Sequence, residues 1–216
     1  MSPRLVAALL VLCVLGWWYS PVSPRVPSPP SPAPGAVPRC PPPPRVARGA
    51  EPLQSELPPD LPAFELEVAT LQPLAGFSLD ARVLGRADYA MDAESSLSPT
   101  DLALGWQAMT DPAVLSRMRI AQSARWYSYR WEGEAPLPPE QIHRSSANMH
   151  MIPFDGSVAR TLRKVREGDR VRIDGWLVEA TTPQGRRWRS SLTRSDAGNG
   201  ACELIYVCAI EIEGSY

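Results

Sequence analysis

Residues Leu5 to Tyr19 form one uncharged apolar run directly behind Arg4, and a proline-dense stretch follows it. From about residue 60 the pattern changes to alternation at a period of two, the signature of half-buried strands. Phe64, Leu66 and Val68 alternate with Glu65 and Glu67, and Phe77, Leu79, Ala81 and Val83 share one face of the next strand. Ser98, Pro99 and Asp101 read as a helix start, with a serine cap, proline at the first helical position and an acid three residues past the cap. Asp111 before Pro112 repeats that start for a helix over Pro112 to Met118. Ala124 to Glu132 then predicts a strand with Tyr127, Tyr129 and Trp131 on one face and Trp126, Ser128 and Arg130 on the other. Three rings in a row can stack on a sugar or peptide, but covering a core is the simpler reading.

The C-terminal half is more regular. Asn148 to Ile152 predicts a short strand ended by Pro153, and Val158, Leu162 and Val165 form a helical stripe stopped by Gly168. Arg170 to Thr181 predicts a strand with Val171, Ile173 and Leu177 on one face, and Gly175 in its middle marks a bulge or bend. Pro183-Gln184-Gly185 turns the chain, Arg187 to Thr193 returns, and Ser195 to Gly200 makes a loop. The last strand, Cys202 to Ile212, is expected to carry Cys202, Leu204, Tyr206, Cys208, Ile210 and Ile212 on its inner face.

These elements predict an α+β fold, mostly β: a small, partly closed, OB-like β-barrel with a few short helices, one of them plugging an end. Three regions follow: an N-terminal membrane anchor over 1–20, a proline-rich disordered linker over 21–59 and a β-rich globular domain over 60–216. An apolar run of about 15 residues rises only about 22 Å as a helix, so its flanks must separate a spanning anchor from a signal peptide. Trp17, Trp18, Tyr19, Pro21 and Val22 occupy the zone where a secretory peptidase needs small residues. The rings fit an interfacial aromatic belt instead, and an uncleaved signal-anchor through residues 5–19 is expected. Arg4 favours a cytoplasmic N-terminus, which places the domain on the periplasmic side of a bacterial inner membrane. Val11 and Leu12 stand where a lipidated Cys13 would require small residues.

Proline exceeds a third of the residues from Pro21 to Pro59, which predicts an extended strut that sets reach from the bilayer. Pro41 to Pro44, flanked by Arg39 and Arg45, also suit a proline-binding groove. From Asp60 onward the chain carries 17 basic and 21 acidic side chains, about −4 net with signs interspersed, which excludes a nucleic-acid footprint. Arg160, Arg163, Lys164 and Arg166 read as a solvated helix face.

The chemistry-bearing residues are few. Asn148 and His150 lie on one face of their strand, and Cys202 with Arg194 in a later loop and strand suggests a cysteine nucleophile with a histidine base. Cys202 on an apolar face also reads as an inert buried thiol. His143 and His150, with Glu140 and Asp155 near them, lack the spacing of a zinc pair, so neither metal nor cofactor is expected. Cys202 and Cys208 lie about 20 Å apart along one extended strand, beyond bridging distance, and nothing demands that Cys40 be cross-linked. The loop from Ser190 to Gly200 gathers small polar groups, and a ligand or partner site is expected where it meets the histidine strand: Asn148, His150, Ser191, Arg194 and Asp196.

The segments LSPTDLALGW (97–106), SSANMHMIP (145–153), VREGDRVRIDGWLVEA (165–180) and WRSSLTRSDAGNGACELIYV (188–207) resemble a family of bacterial membrane-anchored envelope proteins without an established activity. The likeness implies one domain architecture in the envelope and carries over no catalytic residues. The order of histidine, helix, Gly168-Asp169 turn, strands and cysteine is also similar in outline to sortase-type transpeptidases. Those enzymes place an arginine on the strand after the cysteine, whereas the last arginine here is Arg194. The expected function is a membrane-anchored binding or assembly domain whose partners are envelope proteins or cell-wall material. The alternative is a cysteine-dependent acyl transferase or hydrolase using Cys202 and His150.

Overall fold

The computed structural model describes residues 2–18, 29–193 and 202–215. Its elements run α1 (Pro3–Trp18), β1 (Leu53–Ser55), β2 (Phe64–Glu65), β3 (Thr70–Asp88), β4 (Thr100–Gly105), a 3₁₀ turn (Gln107–Thr110), α2 (Pro112–Leu115), β5 (Met118–Ser123), β6 (Trp126–Trp131), α3 (Pro139–Arg144), β7 (Ser146–Pro153), α4 (Gly156–Leu162), β8 (Asp169–Thr181), β9 (Arg187–Arg189) and β10 (Glu203–Ser215). The fold is α+β and mostly β. Among the described residues no helix is long and apolar enough to cross a membrane.

Five strands close a ring-like sheet in the order β3-β4-β7-β10-β8 and back to β3. The β7–β10 pair is parallel and the other four pairs are antiparallel. Phe77, Leu79, Ala81 and Val83 of β3 point inside, as their alternation requires, and meet Leu102, Leu104, Met149, Met151, Val171, Ile173 and Leu177. Val158 and Leu162 of α4, followed by Val165, complete this core. Asp155 starts that helix by accepting from the Ser157 and Val158 N–H groups, but the helix ends at Leu162 with Arg163 as its C-cap, so Gly168, at φ +90°, does not stop it and instead sits in the turn into β8, where its N–H donates to Val83 O.

The last strand differs from the expected one. Ile205 and Val207 face inward, while Leu204 and Tyr206 join an outer cluster with Phe64, Leu71, Ile152 and Trp176. The register shifts between Val207 and Ala209, and the extra residue reverses the alternation, so Ile210 points inside again. Gly175 faces this bulge, and a Cβ there would lie 2.2 Å from the Tyr206 carbonyl oxygen. Ser98 to Asp101 do not start a helix either: Thr100 begins β4, whose hydrogen bonds to β3 and β7 outweigh the local capping pattern. Met118 starts β5 and is no helix end, because β5 and β6 form a two-stranded hairpin of their own. Tyr127, Tyr129 and Trp131 of that hairpin pack on Met109 and Ile142, so the ring stripe covers a core.

The largest correction concerns the proline-rich segment, which is docked on the ring from about residue 30. Ala33 N–H donates to Glu65 O and Glu67 N–H to Ser31 O around a Pro32–Leu66 bridge. The Trp176 indole donates to Pro41 O at 2.9 Å, and β1 pairs with β3. The outer face of β3 and β8 explains this docking. It buries Ser78, Asp80 and Asp174, which need partners, and the sparse non-proline residues supply them. Val46 N–H donates to Ser78 Oγ, Gly49 N–H to Asp80 and Arg45 to Asp174. Gly76 permits the approach, since a Cβ there would lie 2.2 Å from Ser55 Oγ. Cys40 is also disulfide-bonded to Cys208, with Cα atoms 5.2 Å apart, which overturns the expectation that no bridge forms.

Candidate functional site

One cleft of about 560 Å³ opens on the outer side of the ring. Its walls are the loop 89–99 between β3 and β4, the tip of the β5–β6 hairpin, and the β8–β9 hairpin with β9 itself. His150 of β7 and Cys202 just before β10 both line it.

The hairpin tip is held by Arg125. Ser123 pairs with Trp126, leaving a two-residue loop of Ala124 and Arg125 at φ +48° and +69°. Such loops ordinarily carry asparagine and glycine, and each L residue there costs about 1–2 kcal/mol. Offsetting bonds come from the arginine itself. Its guanidinium grips both oxygens of Asp92 at 2.8 Å and donates to Ser98 O at 2.7 Å and to Asp101 Oδ1 at 2.9 Å. It lies 3.9 Å above the Tyr89 ring, whose hydroxyl accepts from the Arg125 N–H. Burial alone would pull the guanidinium pKa down, but the Asp92 bonds and the charges of Asp101 and Asp92 outweigh it and hold it above its ordinary value. Burial likewise pushes the Asp92 carboxyl up, yet the Arg125 bonds leave it below the usual range.

Asp101 joins this tip to the histidine. It is fully buried on β4, directly opposite His150 in the β4–β7 register. His150 is 3% exposed, with Nδ1 2.9 Å from Asp101 Oδ1 in a contact that is close without being an aligned hydrogen bond. Its ring lies 4.7 Å from that of Trp188. Cys202 is partly exposed and not in a disulfide. Asp101 thus stands behind the histidine, and the Cys202 thiol lines the same cavity as His150.

The expected site residues separate. His150 and Cys202 meet in the cleft, whereas Asn148 lies beneath it, accepting from Gln122 Nε2 at 2.7 Å and donating to Arg125 O at 3.0 Å. Asn148 therefore pins the hairpin. Ser191 is buried, and its N–H donates to Cys202 O at 3.1 Å. Arg194 and Asp196, with Ser195, Gly198 and Gly200, lie outside the described residues. Among the described residues no cluster of three His, Cys, Asp or Glu side chains is placed to hold a metal ion.

Asp101, Arg125, Trp126 and Trp188 belong to the cleft or its support and were absent from the expected set. The signal for the hairpin was two alternating runs, Met118–Ser123 and Trp126–Trp131, separated by two residues. On the far wall Glu179 of β8 accepts from both Arg187 and Arg189, and Arg186 is ion-paired with Glu94 across the cleft mouth. The Glu179 carboxyl is held low by Arg187 first and Arg189 second.

No protein-family model, no curated protein and no solved structure matches this chain.

Proposed function

We propose that this protein is a membrane-tethered binding protein of the bacterial envelope, presenting an OB-type domain on the periplasmic side. The observation that carries the reading is the cleft between the loop 89–99 and the β8–β9 hairpin. Numbered along the ring strands, the closure reads 1-2-3-5-4-1 with the fifth strand parallel to the third, and the cleft lies between the loops after strands one and four. OB-type barrels bind ligands with these same two loops, so the support is an analogy of scaffold joined to a cavity actually present.

Two further observations support the location. Helix α1 is uncharged from Leu5 onward and ends on Trp17 and Trp18. Sixteen residues rise about 24 Å, short of a hydrocarbon core of about 30 Å, a mismatch that local thinning and interfacial indoles accommodate. The Cys40–Cys208 bridge persists in an oxidising compartment such as the periplasm and is reduced in the cytosol. Envelope proteins or cell-wall material are the partners within reach.

Two measurements test this reading. The full chain is expected in the membrane pellet, cleaved by protease added to spheroplasts, and released when residues 2–18 are removed. A photo-crosslinker in place of Gln184, on the cleft rim, is expected to give discrete adducts in intact cells. Protein found soluble in the cytosol, or an unreactive rim, ends the proposal.

A second reading is acyl transfer or hydrolysis by Cys202 with His150 as base, favoured because both line the cleft and Asp101 faces His150 Nδ1. An activated thiol labels in the native state. If Cys202 labels only after unfolding, the enzyme reading falls.

A further inference from the structure

Resting on the binding reading above, we propose that the cleft takes an uncharged glycan, a short chain of neutral sugar rings. Three features of its walls select that chemistry.

The first is the pair of indoles. Trp126 stands 42% exposed at the hairpin tip, and Trp188 lines the opposite wall against His150. A large ring left in water beside a strained turn that Arg125 locks is a preorganised stacking surface. Indole faces receive flat, partly apolar rings while leaving hydroxyls to solvent.

The second is a buried acceptor. His150 turns Nδ1 to the Asp101 carboxylate at 2.9 Å, which leaves Nε2 as the nitrogen on the cavity side. Two lone pairs would repel at that distance, so the neutral ring carries its proton on Nδ1 and offers Nε2 as an acceptor. The residue is only 3% exposed, so its donor has to enter the cleft, and a sugar hydroxyl is a donor that brings no charge with it.

The third is charge that is already matched. Arg125 is held by Asp92 and Asp101 and Arg186 by Glu94, while Arg187 and Arg189 project with Glu179 to the other face of their hairpin, away from the Ala180–Trp188 pair. Among the described lining residues there is thus neither a spare guanidinium for an anion nor a spare carboxylate for a cation. A charged ligand entering here would lose water and gain no counter-charge. The volume, about 560 Å³, lies within the usual range for ligands of a few rings, about 300–1,000 Å³.

The test is calorimetric titration of the full-length chain in sugar-free detergent micelles with the neutral chitotetraose, the anionic tetragalacturonate and the cationic tetralysine. Chitotetraose is expected to bind at least about 10-fold tighter than either charged chain, the order set by desolvating one unpaired charge. Trp126→Ala is expected to weaken chitotetraose about 10-fold, and Trp126→Phe, which keeps a ring, by less than about 3-fold. Glu94→Gln opens Arg186 and is expected to strengthen tetragalacturonate about 3-fold while leaving chitotetraose unchanged. The side chains altered line the cleft and none belongs to the interior of the ring, and far-ultraviolet circular dichroism verifies that each variant folds. The unaltered chain supplies a second readout, because it has only two histidines. The imidazole ¹⁵N resonance of His150 Nε2 is expected to move on addition of chitotetraose, and those of His143, which lies outside the cleft, to stay in place. Equal binding of the charged chains, equally good binding of tetraalanine, no binding of chitotetraose, or an unmoved His150 resonance overturns the proposal. A chain that pellets with membranes and crosslinks at the rim but ignores chitotetraose loses this ligand class and keeps the binding reading. Loss of membrane association or of the crosslinks removes the reading itself, and this proposal with it.

Discussion

Leu102 and Asp101 are neighbours on β4, as Met149 and His150 are on β7, yet the two members of each pair live in different chemistry. Leu102 and Met149 point into the ring, where they meet aliphatic and aromatic groups and are fully buried. Asp101 and His150 point outward and are almost as buried, but among charges and polar groups: Arg125, Asn148 and each other. The interior accepts any side chain of similar volume, whereas the outer cluster depends on which atom donates and which carries charge. Burial alone therefore does not distinguish scaffold from site in this molecule; the chemistry of what is buried does.

The contrast can be broken on either side. Phe77→Ala, which empties the centre of the ring, is expected to cost about 3–5 kcal/mol in denaturant unfolding. Asp101→Ala leaves the Arg125 guanidinium without one of its two carboxylates and should cost about 3 kcal/mol. The matched pair sharpens the point: Leu102→Met should stay below about 1.5 kcal/mol while the isosteric Asp101→Asn exceeds it. Cys208→Ser opens a bridge across a separation of 168 residues and is expected to cost about 2–4 kcal/mol, read as a lower melting temperature under non-reducing conditions.

Acid should separate the regions more gently. Burial raises the Asp80 carboxyl, but Arg170 and the Gly49 N–H outweigh it, so Asp80, like Asp92, sits below the ordinary value. A depressed carboxyl contributes stability that is complete above the unfolded pKa, about 3.9, and fades as pH falls through the folded value. Melting temperature is thus expected to be level above about pH 5 and to fall below about pH 4, with Asp92→Asn flattening part of that fall. The smallest effect is at the surface: Arg48→Ala, which removes the exposed partner of Glu213, should change stability by less than about 1 kcal/mol.

Much of the ring was legible because one face of each strand is apolar and the other is not. Phe77 to Val83 and the β8 stripe follow from periodicity, whereas the expected stop at Gly168 does not hold, because α4 already ends at Leu162 and the left-handed glycine serves the turn into β8. Strand β4 was not legible, since Thr100 to Gly105 is buried on both faces and its serine, proline and aspartate imitate a helix start. The hairpin was half legible, because Ala124-Arg125 lacks the glycine that marks such a turn and only Arg125's distant partners make the turn tolerable. The docked arm was illegible for a different reason: proline composition forecasts extension but not what the extended chain lies against. Of the site, His150 was found as a histidine alternating with apolar residues, while Asp101 and Arg125 were missed because charged side chains are seldom buried without a partner, and pairing across the fold leaves no local trace.

The bridge from Cys40 to Cys208 also has a mechanical meaning. Tension arriving from the N-terminal side can strip the Pro32–Leu66 bridge, but it then halts at a covalent knot on the last strand. Strands β3 to β9 all lie inside the loop that this knot closes, so the chain cannot be unravelled through them from that end. Load from that side is delivered to a sulfur–sulfur bond before it reaches the hydrogen-bonded ladders inside that loop.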